Sequence, residues 1–393
     1  MCCKIWLNLK VGVNLMKREI TFAAVGDLML GDHPVRFGNG VRSRIEKDGT
    51  EYLFSKTKPL WEGSDIVFGN VEAILSDIGL NKARLDSAEF RGSPESIPAL
   101  KKVGFNVLNL SNNHCMEYGL DAFWETVNLL RKQGIFVTGL RSDVGGCIPY
   151  ELEKNGVKAT LLSYSLCCEN YYKGNEVPYT FATEEKILQE VALYRDRSDV
   201  LIVSLHWGEE YMSYPSPQQV VFAHRLVDHG VDLILGHHPH VLQGVEKYKN
   251  AVIAYSLGNF IFDMWQRPTR QSIILKGTFS KDGISEVEMI PLYINDRFQP
   301  EILDKRLHPE FLQSMERLGS MISEKYAHIE THLPSLEADY LKQAHKKVLF
   351  NRFENYFFFL SHIYQYSSDV IFQSMARFFK RRVEEVQTVV GER

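Results

Sequence analysis

The sequence is poor in the features that mark several large classes of protein. Its 6 cysteines form two vicinal pairs and two isolated residues, without the regular spacing of a disulfide framework or a zinc knuckle. A formal net charge of -4 offers no broad attraction for nucleic acid, which we do not expect as a partner. The N-terminal stretch MCCKIWLNLKVGVNLMKREI is broken by lysines and falls well below the about 20 apolar residues that cross a bilayer. We therefore expect reduced thiols and a cytoplasmic location, with no support for secretion.

Three common catalytic signatures are also missing. Without the phosphate loop GxxxxGK[ST] or the dinucleotide turn GxGxxG, the binding of ATP or NAD by those devices is not indicated. The nucleophile elbow GxSxG does not occur either, which argues against a serine hydrolase. Cys115 follows His114 and is a conceivable nucleophile, but a thiol in such a place is more often a small buried filler.

What the sequence does contain, from residue 20 to about 295, is an alternation of short β-branched runs with helical patterns. This alternation is typical of βα units around a largely buried sheet. Residues 272–294 instead predict a hairpin that turns at Asp282-Gly283. The predicted strands are 20–26, 65–70, 105–111, 134–139, 158–165, 199–206, 232–237 and 251–258.

The character of the chain changes beyond Pro300, where helical patterns continue without strand signals. We divide the chain into an N-terminal extension (1–19), an α/β domain (20–298) and a helical C-terminal region (299–393). Aromatic and basic residues are interleaved in 337–387, which favours a helical hairpin packed on the main domain. The alternative is a helix that binds a membrane surface or a partner, since residues 378–382 form a basic amphipathic end.

Polar residues capable of binding metal follow one predicted strand after another. In open α/β sheets the carboxyl ends of the strands face the binding crevice, so clusters distant in sequence can converge there. Five strand ends carry such residues: Asp27; Asn70 and Glu72; Asn112, Asn113 and His114; His206 and Glu210; and His237, His238 and His240.

Most of these clusters have a purely structural alternative. Asp27 can cap a loop, Asn112 and Asn113 can begin a helix, and His206 alone is more often a hydrogen-bonded core residue. The run GHHPH (236–240) is different, because three histidines in four residues after a buried strand suit ligation of a metal ion.

The ordered motifs GDLMLG (26–31), GNVE (69–72), SNNH (111–114), HWGEEY (206–211), GHHPHVLQ (236–243) and YSLGNFIFD (255–263) resemble those of the CapA, or poly-γ-glutamate capsule synthesis, family. The resemblance covers about residues 20–295. That family is related to calcineurin-like metallophosphoesterases, which implies a four-layer αββα sandwich of metallophosphoesterase type with a dinuclear-type site. The helical region would then be a C-terminal extension.

Position by position, the resemblance implies metal ligation by Asp27, Glu72, Asn113, His206, His238 and His240, with Asn70 as an alternative to Glu72. It also implies that His114 is the general acid, and Glu210 is the second candidate catalytic residue. Ligands of this mixed type suit one or two ions of Mn, Fe or Zn. Met29 stands where metallophosphoesterases carry a histidine, Glu72 replaces their bridging aspartate, and Cys115 follows His114 in place of an acidic residue. These departures put phosphoesterase activity in doubt.

The leading hypothesis is therefore a metal-dependent hydrolase or transferase of the CapA type. Its substrate would be an anionic capsule-like polymer such as poly-γ-glutamate, which it would help to synthesise, release or trim. A non-catalytic accessory protein of a membrane synthase complex is the second hypothesis, and a general phosphoesterase acting on phosphoesters is the third.

Overall fold

The computed structural model describes residues 18–167, 176–304, 308–326 and 329–377. The predicted basic end at 378–382 and nearly all of the N-terminal extension lie outside these ranges. The strands, in chain order, are β1 (Ile20–Leu28), β2 (Ile66–Val71), β3 (Ile74–Leu75), β4 (Arg91–Gly92), β5 (Val107–Asn109), β6 (Phe136–Thr138), β7 (Tyr150–Lys154), β8 (Val157–Ser165), β9 (Val200–His206), β10 (Leu233–His237), β11 (Val245–Tyr248), β12 (Ala251–Ala254), β13 (Asn259–Ile261), β14 (Gln271–Ser280), β15 (Gly283–Ile294) and β16 (Pro300–Ile302).

The helices pack outside the sheets and across one end of them. They are α1 (Val41–Asp48), α2 (Thr50–Phe54), α3 (Leu85–Ala88), α4 (Ile97–Lys102), α5 (Gly119–Lys132), α6 (Glu184–Arg195), α7 (Pro217–Asp228), α8 (Pro309–Lys325) and α9 (Ile329–Ser361). Among the described helices, none is long and apolar enough to cross a membrane.

Two large sheets form the centre of the molecule. The first has the strand order β16-β15-β14-β1-β2-β5-β6, with β13 paired to β1, and the second has the order β11-β12-β10-β9-β8-β7. Strands β1, β2, β5 and β6 pair in parallel, as do β8, β9, β10 and β12. The parallel strands within each sheet therefore bring their carboxyl ends to one edge.

Alternating side chains place the core on both faces of each sheet, as the period of two along a strand requires. On β1, Phe22 packs between the two sheets, whereas Ala23 faces α1, α2, α4 and α5. On β9, Ile202 points into the space between the sheets, and Val203 packs towards α6 and α7. Three apolar cores thus separate four layers, and the predicted αββα sandwich is confirmed.

The predicted hairpin is present, with Gly283 at φ +101° in its turn. The third strand at that edge, β16, runs to Ile302. Helix α8 packs on the second sheet through Ile322, and α9 packs against α7 and against the short 3-10 helix Pro34–Arg36.

Candidate metal centre

The two sheets deliver their polar strand ends to a common place. In the first sheet Asp27 is in register with Asn70 of β2 and with Asn259 of β13. In the second sheet His206 at the end of β9 is in register with His237 at the end of β10. His237 Nδ1 lies 3.1 Å from Asp27 Oδ1, so the two sheet edges meet at these side chains.

Asp27 is fully buried at the centre of this meeting point. Its Oδ1 accepts a hydrogen bond from Asn70 Nδ2 at 2.8 Å, and its Oδ2 accepts one from the backbone N–H of His238 at 3.3 Å. Burial opposes its ionisation, but the hydrogen bond and charge of His237, the charge of His240 and the Asn70 amide together hold the pKa of Asp27 below its usual value. Asp27 is therefore a carboxylate.

A network of asparagines fixes Asn70. Both Asn109 Nδ2, at 2.9 Å, and Asn112 Nδ2, at 3.2 Å, donate to Asn70 Oδ1. The side-chain oxygen of Asn70 is thus occupied, and its amide nitrogen is turned towards Asp27. This geometry favours Glu72 over Asn70 as the residue of this pair that presents an oxygen atom to the site.

Glu72 follows β2 and is 1% exposed, yet neither of its carboxylate oxygens has a hydrogen-bond partner among the described residues. Its Oε1 lies 3.7 Å from His206 Nε2, 3.7 Å from His240 Nε2 and 3.8 Å from His114 Nε2. These distances are too long for hydrogen bonds. Donor atoms of Glu72, His238 and His240 lie within 4.8 Å of one another, as do those of Asp27, Glu72 and His206, so Glu72 belongs to two groups that could each hold a cation.

Burial, followed by the charge of Asp27, raises the pKa of Glu72 well above its usual value. Burial also lowers the pKa of His206 far below its usual value and that of His238 to about 4, with neighbouring imidazoles adding to the effect. His206 and His238 are therefore neutral, which is the state that ligates metal. A cation at this site would displace the proton that Glu72 otherwise favours.

His206 is held from both ends of its ring. Its Nε2 lies 2.8 Å from Asn113 Oδ1, and its Nδ1 lies 3.3 Å from Asn70 Nδ2. Asn113 Oδ1 thereby reaches the same space as Glu72 Oε1, and an amide oxygen beside a carboxylate and an imidazole makes a mixed O and N donor set.

The histidine run forms a strained turn after β10. His238 has φ +98° and His240 has φ +58°, conformations that typically cost about 1–3 kcal/mol each for a residue with a side chain. A side chain at Gly236 would place its Cβ 1.9 Å from the carbonyl oxygen of Tyr255, so the strand that enters the turn must carry glycine there. The turn directs His238 and His240 to the same cluster as Glu72.

Asn259 orients the ring of His240. Its Nδ2 donates to the carbonyl oxygen of Thr269 at 3.0 Å, which turns its Oδ1 towards His240 Nδ1, also at 3.0 Å. His240 Nδ1 must then donate, and the lone pair of Nε2 points towards Glu72. Fixing a ligand histidine through its second nitrogen is a common feature of metal sites.

The two candidate catalytic residues stand at the rim. His114 Nδ1 lies 2.7 Å from Glu117 Oε1, while its Nε2 faces Glu72. Glu210 lines the adjacent cavity together with His114, His240 and Asn113. Burial opposes ionisation of Glu210, but the neighbouring imidazoles, His240 first, hold its pKa below the usual value.

The structure brings together all six residues predicted as metal ligands, because overlapping groups of their donor atoms lie within 4.8 Å of one another and Asn113 joins through His206. Met29, in contrast, turns into an apolar cluster with Ala73, Phe262 and Met264. The ligand roles of the six residues themselves stay a prediction.

Sequence reasoning left the supporting residues without roles. His237 stood in a recognised run and Asn259 in a recognised motif, so both could have been assigned a positioning role. Cys167 gave no signal, although its sulfur lies within 4.8 Å of ring nitrogens of His206 and His238.

The two sheets of the four-layer αββα sandwich thus join carboxylates and imidazoles in one cluster at their carboxyl ends. Residues 21–264 match the family described as "Bacterial capsule synthesis protein PGA_cap". The chain belongs to this family, which confirms the resemblance seen in its motifs.

Two curated relatives and one solved structure indicate how similar the chain is to known proteins. It is 32% identical to "Capsule biosynthesis protein CapA" of Bacillus anthracis, over 71% of this chain and 68% of that protein. It is 31% identical to "PGA biosynthesis protein CapA" of Bacillus subtilis, over 69% and 71%. A 5'-nucleotidase precursor from Thermus thermophilus is similar in structure, with a TM-score of 0.44 and 13% identity over 76% of this chain and 58% of that chain.

Proposed function

We propose that this protein is a metal-dependent hydrolase or transferase that acts in the synthesis, release or trimming of an anionic capsule-like polymer such as poly-γ-glutamate. The observation that carries the proposal is Glu72: a buried carboxylate without hydrogen-bond partners among the described residues, faced by three imidazole nitrogens at 3.7–3.8 Å. Leaving such a group without a partner is costly unless a cation satisfies it.

Asp27, Glu72, Asn113, His206, His238 and His240 would hold one or two ions of Mn, Fe or Zn. A bound ion would polarise a phosphoryl or acyl oxygen and activate water for attack. His114 would hold a proton at Nε2 and deliver it to the leaving group, while Glu117 stabilises the charged ring. Glu210 would sit beside the reacting group in the cavity.

Metal analysis of tag-free protein tests the ligand set. Asp27→Asn and His238→Gln should lose most of the Mn or Zn that the wild type retains after dialysis. His224→Gln is the matched control, because His224 pairs with Glu246 and stacks on Tyr248 in the second sheet. Wild-type metal content in both ligand variants would contradict the proposal, provided that circular dichroism shows that the variants are folded.

A non-catalytic binding protein of a synthase complex is the second candidate function, and Met29 favours it. This side chain packs into an apolar cluster where metallophosphoesterases place a ligand histidine. Assays on γ-glutamyl, phosphomonoester and phosphodiester substrates separate the candidates. Metal-loaded protein that turns over none of them would favour binding, and chelator-sensitive cleavage of a bis-aryl phosphate would favour a general phosphoesterase.

The cytoplasmic location, with contact to the membrane surface through the C-terminal helices, stays a prediction from the sequence. Recovery of the intact chain outside the cell would contradict it.

A further inference from the structure

The six predicted metal ligands form a group that we call the ligand cluster. Beside this cluster lies a cavity of about 230 Å³. Asn113, His114, Glu210 and His240 form its inner side. Helix α9 contributes four further lining residues, Val348, Asn351, Arg352 and Asn355. A substrate group bound to the cluster would therefore also contact α9.

Contacts with the α/β domain hold α9 in place. Gln266 Nε2 donates to Asn351 Oδ1 at 2.6 Å, within the wall itself. Further along the helix, Phe358 stacks on Trp265 with 4.2 Å between the ring centroids. The guanidinium carbon of Arg36 lies 4.7 Å from the centroid of the Phe358 ring. Because these contacts fix the position of α9, Arg352 has a defined place in the lining of the cavity.

Arg352 brings a positive charge to this cavity. Among the described residues that line it, Arg352 alone has a permanently cationic side chain. Burial raises the pKa of Tyr211 well above its usual value, and the charge of Arg352 acts in the opposite direction, so the guanidinium lies near this phenol. Tyr211 and Glu210 line this cavity together. The positive charge and the candidate catalytic residues His114 and Glu210 thus line one cavity.

The size of the cavity limits what it can hold. Its 230 Å³ is below the about 300 Å³ at which sites for drug-sized ligands begin, so it suits one small anionic unit rather than a stretch of polymer. Each unit of a γ-linked glutamate chain carries a free α-carboxylate beside its amide bond, and a phosphoester carries equivalent anionic oxygens. A guanidinium binds either group through two parallel hydrogen bonds.

We propose that Arg352 is the residue that recognises the anionic oxygens of the substrate unit held between α9 and the ligand cluster. This inference rests on the proposed function and assigns the recognition of its substrate to a particular side chain. Arg352 lies beyond residues 21–264, the part of the chain that matches the family. Anion recognition is therefore supplied by the C-terminal helical region, and it can change without any change in the cluster.

Isothermal titration calorimetry of the full, tag-free, Mn-loaded protein tests the assignment by measuring the affinity for two probes. The probes are a γ-linked glutamate oligomer of defined length and phenyl phosphate. Arg352→Gln should weaken binding by about 10- to 100-fold, as expected for the loss of a charge-assisted hydrogen bond, and Arg352→Lys should fall between it and the wild type. Lys347→Gln is the matched control, since it removes the same charge from an exposed position of α9 that does not line the cavity.

A loss confined to the oligomer would identify a carboxylate as the group recognised, and a loss confined to phenyl phosphate would identify a phosphate. Wild-type affinity of Arg352→Gln for both probes would overturn the assignment, as would a wild-type protein that binds neither. A fall in metal content in Arg352→Gln would also overturn it, because the residue would then act on the cluster. Failure of the proposed function would be seen differently: the variants Asp27→Asn and His238→Gln would then retain their bound metal.

Discussion

Replacing Glu72 with glutamine should have opposite effects on the metal-free and the metal-loaded protein. Without metal, Glu72→Gln should melt at a higher temperature than the wild type, because burial raises the pKa of the carboxyl well above its usual value and glutamine has no ionisation to suppress. With Mn²⁺ or Zn²⁺ the wild type should gain stability, and the variant should not. An ordinary buried residue would show neither pattern.

The expected sizes follow from the length of the chain. An unfolding entropy of about 2.1 cal/mol/K per residue, taken over 393 residues, gives roughly 0.8 kcal/mol/K. A ligand at about 100 times its Kd adds about 2.7 kcal/mol, which raises the wild-type Tm by roughly 3 °C. Each unit by which the folded state raises the pKa of Glu72 costs about 1.36 kcal/mol, or roughly 1.7 °C, once the pH exceeds the folded-state value.

The sign of the pH dependence is fixed by the direction of this shift. A carboxyl with a raised pKa in the folded state retains its proton longer than in the unfolded chain, so stability falls as the pH rises above about 4.3. The advantage of Glu72→Gln over the metal-free wild type should accordingly be small near pH 4 and grow towards pH 8.

Differential scanning fluorimetry at pH 5 and pH 8, with chelator or with added metal, measures both effects. Glu190→Gln is a suitable control, because Glu190 is equally a buried carboxylate but accepts hydrogen bonds from the Cys147 backbone and the Tyr164 hydroxyl. It should lose stability and keep the metal-induced shift. The reasoning is refuted if Glu72→Gln shows the full metal shift, or if it melts below the metal-free wild type at pH 8.

Three further changes test other parts of the site. His114→Asn should lower turnover by about 10²- to 10⁴-fold at unchanged metal content, as expected for a lost general acid, and equal rates would remove His114 from that role. Burial and the charge of Asp32 raise the pKa of Asp263 to about 7, so wild-type Tm should fall between about pH 4 and pH 7, a slope that Asp263→Asn should flatten. Gly236→Ala should cost about 1–3 kcal/mol and most of the bound metal, because its Cβ would meet the Tyr255 carbonyl oxygen; wild-type Tm and metal content would contradict this.

The parallel strands could be predicted because apolar residues on both faces make them recognisable. Each predicted strand from 20–26 to 251–258 overlaps an observed one. The edge strands β7, with the sequence YELEK, and β11, with VEKY, were missed because each has partly exposed, mostly polar residues. Strand β13 begins directly after the predicted strand 251–258 and was not distinguished from it, although it pairs separately with β1.

Part of the ligand cluster could be predicted for a topological reason. A side chain that follows a parallel strand lies at the carboxyl edge of its sheet, so Asp27 and Glu72 were expected to lie close together once the strands were recognised. That His206 joins them depends on the packing of the two sheets, which brings their carboxyl edges together. The asparagine network depends on finer matters. Whether Asn70 presents its oxygen or its nitrogen is decided by Asn109 and Asn112, and only their positions in three dimensions show that both donate to it.

The wall of the cavity could not be predicted because nothing in the pattern of α9 distinguishes its inner side. Phe350, Phe353 and Phe357 are well exposed, while Asn351 is 7% exposed at the cavity, so a rule that apolar residues face inward would have turned the helix the wrong way. Its rotation is set by contacts distant in sequence, such as Gln266 with Asn351. Strand order thus determines which ligands share a sheet edge, whereas tertiary packing determines the wall. Substitutions in the wall should therefore alter substrate recognition while metal binding persists.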